Sequence, residues 1–357
     1  MRKDMNATFR PVFNPNRVNL YEVLPLDTPY SVGICASQIC NIQCKYCIHS
    51  LGKNELEEKG FSYKHIDWEI FLKTVEQLKE FPNKIKSITI GGQGESLANP
   101  RFPEMVSVLR KADVAEDLSF ITNAILLTKE KSKAIIDAGL NRIFISLQGL
   151  SSEKYEEICG RKIKFDKYVE NIRYFYEYSR GKCQVNIKIA DIALEEGDKE
   201  KFFNLFGNIC DTIHIETIKP LYADVNYINI LGEGKSGQDM TITRFGRPHV
   251  KQKACYLSFY MLTVDPDGEI RPCGAPFNPC KGMGNVKTTT LVKAWNGKAY
   301  RQFCLDMLEG KRFENPICRD CDYPNDVPCE GDEIDPYVDI LIPKYKEILN
   351  NKGYKNE

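Results

Sequence analysis

Six short runs along the chain are rich in β-branched and aromatic residues, and patterns of helical period separate them. The runs are Ser31–Cys35, Lys86–Gly91, Leu118–Asn123, Asn141–Gln148, Gln184–Asp191 and Asp211–Thr217. Helices are predicted over Trp68–Glu80, Pro103–Ala112, Lys129–Ala138, Phe165–Ser179 and Lys199–Gly207. Regular alternation of β and α segments implies an α/β fold with a parallel sheet and right-handed crossovers. Six such units suggest a partial barrel. Three strands carry a further signal. Val185, Ile187 and Ile189 alternate with Asn186 and Lys188; Ile213 and Ile215 alternate with His214 and Glu216; Ile143, Ile145 and Leu147 alternate with Phe144, Ser146 and Gln148. Successive strand side chains point to opposite faces, so the apolar set meets the helices and the polar set lines the interior. A closed eight-stranded barrel fills that interior with apolar layers. A polar interior therefore predicts an open barrel with a binding cavity. The alternative is a one-sided, solvated antiparallel sheet, against which the intervening helices argue.

Composition narrows the class. The chain has 357 residues, 42 % of them apolar, and a formal net charge of zero. That allows one large domain and a small second one, and without a basic stripe a nucleic-acid partner is disfavoured. No apolar run approaches the ~18 residues of a membrane span, and the start MRKDMNATFR has no apolar centre of a secretory signal. A cytoplasmic location is expected. Fourteen cysteines are then unusual. Disulfides are disfavoured in a reducing compartment, so clustered cysteines point to metal binding or catalysis. Four lie at Cys35, Cys40, Cys44 and Cys47, and seven follow residue 250. The expected organisation is an N-terminal extension (1–29), a barrel (30–230), a Gly- and Lys-rich linker or lid (231–253), a cysteine-rich α+β module (254–330), and a terminal helix and tail (331–357), with the helix near Asp335–Lys352.

Cys40, Cys44 and Cys47 follow the first strand with gaps of three and two residues. Three thiolates so spaced can hold one [4Fe–4S] cluster and leave one iron open, since a cubane normally takes four thiolates. An open metal position signals a substrate ligand. Cys35, within the strand, is expected to be a buried small hydrophobe. A zinc site would need a fourth ligand. Beyond the cysteines, Gly91-Gly-Gln-Gly-Glu95-Ser-Leu-Ala-Asn-Pro100 follows the second strand, Ile121-Thr-Asn-Ala-Ile-Leu-Leu-Thr128 the third, and Ile145-Ser-Leu-Gln-Gly149 ends the fourth.

These four motifs, in this order, resemble those of the radical S-adenosylmethionine superfamily over roughly residues 30–220. Ser96 stands where a proline is usual, and Gln148 where aspartate is common. The resemblance implies a partial (β/α)6 TIM-like barrel, a [4Fe–4S] cluster on Cys40, Cys44 and Cys47, and S-adenosylmethionine chelated to the open iron. It implies that Gly91, Gly92 and Gly94 admit the methionyl part, that Glu95 binds its ammonium, and that Ser146 contacts its polar groups. By the same resemblance Arg161 pairs with its carboxylate, Tyr46 sits by the adenine, and Asn123 and Gln148 belong to the same site. A flavodoxin or ferredoxin would supply the electron that cleaves the sulfonium bond.

In the C-terminal module, Asp267-Gly268 is a two-residue turn between strand-like runs, which would return Cys273 toward Cys255. With Cys318 and Cys321 that makes four thiolates, enough to close a second cubane. The arrangement resembles the Twitch/SPASM extension of radical enzymes, with a spacing like that of a cyclitol dehydrogenase of that class. The smaller, one-cluster Twitch form is expected. Cys280 and Cys329 leave a second auxiliary cluster open, and structural zinc on the four cysteines is a further alternative. Cys304 reads as a core residue of the helical segment Lys298–Leu308.

An auxiliary cluster can take an electron from a substrate radical, which makes net oxidation feasible after loss of a proton to a base. Lys188, His214 and Glu216 are the candidate bases of the interior, or else only hydrogen-bonding groups there. About thirty residues precede the first strand, too few for a separate leader-peptide-binding domain of at least ~50 residues. A small substrate (amino sugar, cyclitol or nucleotide sugar) is therefore expected before a ribosomal peptide that is epimerised or crosslinked. A non-enzymatic iron–sulfur or zinc regulator is the alternative of another class.

Overall fold

The computed structural model describes residues 7–9, 17–219, 224–227, 230, 241–244, 247–326 and 329–351. Nine strands form one sheet: β1 (Thr8–Phe9), β2 (Ser31–Ile34), β3 (Ile85–Ile90), β4 (Ala115–Thr122), β5 (Arg142–Leu147), β6 (Gln184–Ala190), β7 (Thr212–Glu216), β8 (Met261–Val264) and β9 (Ile270–Arg271). Their order is β1-β7-β6-β5-β4-β3-β2-β8-β9, parallel from β1 to β8. Strands β2 to β7 are the six expected units, and each crossover carries a helix. The crossover helices are α1 (Trp68–Leu78), α2 (Phe102–Ala112), α3 (Lys129–Asp137), α4 (Ser152–Cys159), α5 (Phe165–Ser179) and α6 (Asp198–Phe206). This is the open partial barrel.

Alternation decides which side chains enter the interior. Val185, Ile187 and Ile189 of β6 and Ile143 and Ile145 of β5 are fully buried, in one core cluster with Phe102, Phe175 and Phe202 of the helices. Burying such a side chain contributes roughly 1.5–3 kcal/mol. The opposite face holds Ser146, Lys188 and His214 side by side in the β5–β6–β7 register. Below them Thr212 donates to Asn186 across 2.7 Å, and Arg142 pairs with Asp117 at 2.9 Å. On the β4 to β7 side the floor of the barrel is thus filled by paired polar groups.

Helix α4 was not among the expected helices. It is two turns long, with Ser151 accepting from Lys154 N at its start and Gly160 in the left-handed region (φ 69°) at its end.

The C-terminal module is joined to the barrel edge rather than set apart from it. Strand β8 pairs parallel with β2, and the hairpin to β9 turns at Gly268 (φ 90°), as the Asp267-Gly268 pair implied. Helices α7 (Lys298–Leu308) and α8 (Val338–Asn351) pack on each other. No helix is long and apolar enough to cross a membrane among the described residues. Of the expected linker or lid, residues 231–240 and 245–246 lie outside the described residues.

Candidate active site

The first cysteine loop leaves β2 and is tied down on three sides. Gln43 N and Lys45 N donate to Cys159 O and Ile158 O at 3.1 and 2.9 Å, so the loop satisfies carbonyls that the end of α4 leaves free. Glu95 N donates to Ile39 O (3.0 Å), and Asn123 Nδ2 to Asn41 Oδ1 (2.7 Å). Gly94 passes so near that an added Cβ would lie 2.6 Å from Ser37 O and 2.8 Å from Ile39 O. A side chain there would displace the loop.

Cys40, Cys44 and Cys47 line a cavity of about 170 Å³ together with Tyr46, His49, Gly94, Glu95, Asn123, Ser146, Gln148, Lys188 and Glu216. The floor of this space is the open upper end of the barrel. Burial raises all three thiols, Cys40 to about 12, and the Cys47 charge raises Cys40 and Cys44 further. Thiolates crowded in an apolar site need positive charge between them, which is what iron ions provide. Among the described residues no three His, Cys, Asp or Glu side chains come together as ligands of a single metal ion. The thiols instead ring a void, and their chemistry fits a cluster.

Glu95 is buried and its carboxylate accepts three hydrogen bonds, from Leu97 N (2.9 Å), Thr122 Oγ1 (2.7 Å) and Asn123 N (2.8 Å). Burial raises its pKa and these donors oppose the rise. Tyr46 donates to Gln148 Oε1, so the aromatic after Cys44 is clipped to the end of β5. Tyr227 donates to Tyr46 O at 3.0 Å. Arg161 is exposed, donates to Asn41 O (2.7 Å) and does not line the cavity. Gly91 and Gly92, with φ of 132° and 115°, line a different cavity.

Of the three candidate bases, Lys188 and Glu216 line the cavity. Lys188 Nζ lies 2.5 Å from Glu216 Oε2, and Arg244 Nη1 3.3 Å from Glu216 Oε1. Burial opposes ionisation of Glu216, but these two cations outweigh it and hold the carboxyl down to about 2. His214 sits opposite Lys188 in the register, and burial and the Lys188 charge lower it to about 4. Arg244 also pairs through Nε with Asp326, whose Oδ1 accepts from Arg244 N at 2.7 Å. No local sequence pattern singled out Arg244.

The second cavity, about 290 Å³, contains all four C-terminal cysteines of the expected set: Cys255, Cys273, Cys318 and Cys321. Burial pushes Cys255 up to about 12 and Cys273 to about 11, and each is raised further by a neighbouring thiol of the set. Cys280, Cys304 and Cys329 are buried elsewhere. Cys280 and Cys304 contact the carbonyls of Ala299 and Ser258, whereas Cys329 is affected by Arg17, Asp332 and Arg247. Cys35 is likewise fully buried, against Ser37 O. The two cavities meet at Ile121, which lines both and is 39 % exposed although it belongs to a central strand. Gly33, Thr89 and Thr263 keep the wall beside it small. Between the cavities Gln93 donates to Asp265 (3.1 Å) and accepts from Gln38 (2.7 Å), and its carbonyl meets His49 Nε2 at 2.5 Å. Gln93 and Ile121 fell within motifs of the sequence without being singled out, and His49 fell in none, because only the folded sheet places them between the two cysteine sets.

Residues 34–189 match the model of the radical SAM superfamily, and residues 255–322 match that of SPASM, an iron–sulfur cluster-binding domain. The chain is 23 % identical over 338 residues to a tungsten-containing aldehyde ferredoxin oxidoreductase cofactor-modifying protein of Pyrococcus furiosus, covering 82 % of this chain and 90 % of that protein. It is 39 % identical over 121 residues to a probable GTP 3′,8-cyclase of Methanococcus maripaludis, of which it spans 37 % of the length. In fold it is similar to SuiB of Streptococcus suis bound to S-adenosylmethionine (TM-score 0.58, 15 % identity, 90 % of this chain and 76 % of that one). It is also similar to BtrN in complex with AdoMet and 2-DOIA (TM-score 0.50, 17 % identity, 82 % and 92 %).

Proposed function

For this chain, which belongs to the radical SAM superfamily and carries an SPASM iron–sulfur domain, we propose oxidation of a small hydroxyl-bearing substrate held between its two cysteine sets. The observation that carries the reading is the junction at Ile121: a molecule resting there touches the S-adenosylmethionine side at one end and the four-thiol cavity at the other. When bound, the [4Fe–4S] cluster of Cys40, Cys44 and Cys47 and its S-adenosylmethionine supply a 5′-deoxyadenosyl radical, and an auxiliary cluster on Cys255, Cys273, Cys318 and Cys321 supplies an electron acceptor. We assign Glu95, Asn123, Ser146, Gln148 and Tyr46 to S-adenosylmethionine. Gly94 acts on the cysteine loop, which it allows to sit close. Lys188 and Glu216 face the cavity as a fixed donor–acceptor pair suited to hydroxyl or amino groups. Glu216, held near 2, and His214, lowered to about 4 and outside the cavity lining, are both poor proton acceptors at neutral pH. The BtrN complex, with a small molecule beside AdoMet, supports the same class of substrate.

The test is a deuterium-transfer screen. Reduced, reconstituted protein is incubated with deuterated cyclitols and amino sugars, and with peptides as the competing class. Deuterium in 5′-deoxyadenosine together with an oxidised product supports the proposal. Transfer from peptides alone overturns it. In the soluble Cys318→Ala protein, S-adenosylmethionine cleavage should persist while substrate oxidation falls far further.

A further inference from the structure

We propose that Arg312 is the counter-charge of the auxiliary cluster and sets how readily that cluster takes up an electron. The inference rests on the reading of Cys255, Cys273, Cys318 and Cys321 as a cluster site. Arg312 is only 2 % exposed and lines the same cavity as all four thiols. One terminal nitrogen donates to Gln252 O at 2.7 Å and the other to Cys321 O, while Nε has no acceptor although it is buried. Among the described residues no carboxylate pairs with it. Apart from the Phe313 ring, 5.2 Å from its Cζ, its partners are two neutral carbonyls, and a buried guanidinium is costly unless a negative charge lies near.

The neighbouring Arg271 shows what compensation looks like. It is 1 % exposed and also flanks Cys273, but its Nη2 lies 2.6 Å from Asp265 Oδ1. One buried arginine beside the thiols is therefore neutralised by its own carboxylate, and the other is left for whatever fills the cavity. Four thiolates around a cubane carry net negative charge, and each added electron increases it. A fixed, desolvated cation beside them favours the reduced state. The same charge favours the thiolate form of Cys255, Cys318 and Cys321, which their burial opposes. In the proposed reaction the substrate radical loses a proton to a base and one electron to the cluster, which an acceptor of the flavodoxin or ferredoxin class later removes. Arg312 touches neither substrate nor reacting atoms, so it is a positioning residue for that electron.

The test uses the full chain with Cys40, Cys44 and Cys47 all replaced by Ala, so that only auxiliary iron remains. Iron content and the midpoint potential, followed by electron paramagnetic resonance, are compared for Arg312, Arg312→Gln and Arg312→Lys. Arg312→Gln should make reduction about tenfold less favourable at a fixed poise, about 59 mV for a one-electron couple. Arg312→Lys should stay near the parent. Absence of iron in the parent would remove the cluster reading itself. About four irons with an unchanged potential in Arg312→Gln would overturn only the role of Arg312. Should Arg312→Gln not load iron, Arg312→Lys decides: a tenfold loss there, with the charge retained, overturns the proposal, and a near-parent potential supports it.

Discussion

Glu95 shows how one side chain can hold a site together before it binds anything. Its two oxygens take three buried donors, from the loop after β3, the last residue of β4 and the residue after it, and the remaining acceptor capacity faces the cavity. Glu95→Gln keeps the shape and removes the charge. Loss of a charge-assisted bond to an ammonium should weaken S-adenosylmethionine binding by ~1.5–3 kcal/mol, measured by equilibrium binding to the reconstituted protein. Unchanged affinity would show that Glu95 only braces the loops. His214 makes a different prediction. Its folded value near 4 lies below the usual 6.5, so the unfolded chain binds a proton that the folded one refuses. Its contribution is fully present above about pH 6.5 and is lost as pH falls from there toward 4, at a slope of up to ~1.4 kcal/mol per pH unit. Denaturant unfolding of the apo-protein at pH 7 and 5 should show that slope shrink in His214→Asn. An identical slope in both proteins would mean that other groups carry the acid sensitivity.

At the scale of elements, the segment carrying Arg244 is docked by ion pairs. Arg244 joins Glu216 at the end of β7 to Asp326 of the C-terminal module, and Asp326 is fully buried. Asp326→Ala leaves the guanidinium short of a partner, which should cost about 3–5 kcal/mol. Amide exchange at Arg244, whose N–H donates to Asp326, should accelerate, and protection equal to the parent's would refute the docking role. The sequence showed the strands well because β2 to β7 are short runs rich in β-branched and aromatic residues, alternating with polar ones in β5 to β7, and such a signal is local. Helix α4 escaped because two turns give little periodicity. The parallel pairing of β8 with β2 escaped because nothing in Met261–Val264 names its distant partner. For the site, spacing singled out the seven cysteines, and the structure gathers them around two cavities. Lone residues such as Arg244 and Arg312 have no spacing to expose. The glycines were legible as a motif but not in their roles: Gly94 packs on Ser37 and Ile39, while Gly91 and Gly92 lie toward the other cavity.

For the whole molecule, one sheet runs from β1 to β9 through both cysteine regions, so the division into barrel and module should not be a division in stability. Across the seam Gln77 is bonded to Val286 O and Leu291 N (3.0 and 3.1 Å), and the N-terminal extension ties in the C-terminal side, Trp295 Nε1 donating to Leu26 O (2.9 Å) and Leu20 N to Gly331 O (2.7 Å). Gly33 of β2 leaves room for Thr263 of β8, whose Oγ1 would lie 3.0 Å from an added Cβ. Removing the module would expose β2 as an unprotected edge. The chain has two tryptophans, and they fall on either side of the seam. Trp68 starts α1 beneath Arg101, and Trp295 is fully buried in the module. In Trp68→Phe, tryptophan fluorescence reports Trp295, in the module where it meets Leu26 of the N-terminal extension, while far-ultraviolet circular dichroism is dominated by the barrel helices. The two signals should lose structure at the same denaturant concentration, as a single cooperative unit requires. A module that unfolds first, with barrel ellipticity intact, would separate the two regions and make the shared sheet a contact between independent domains.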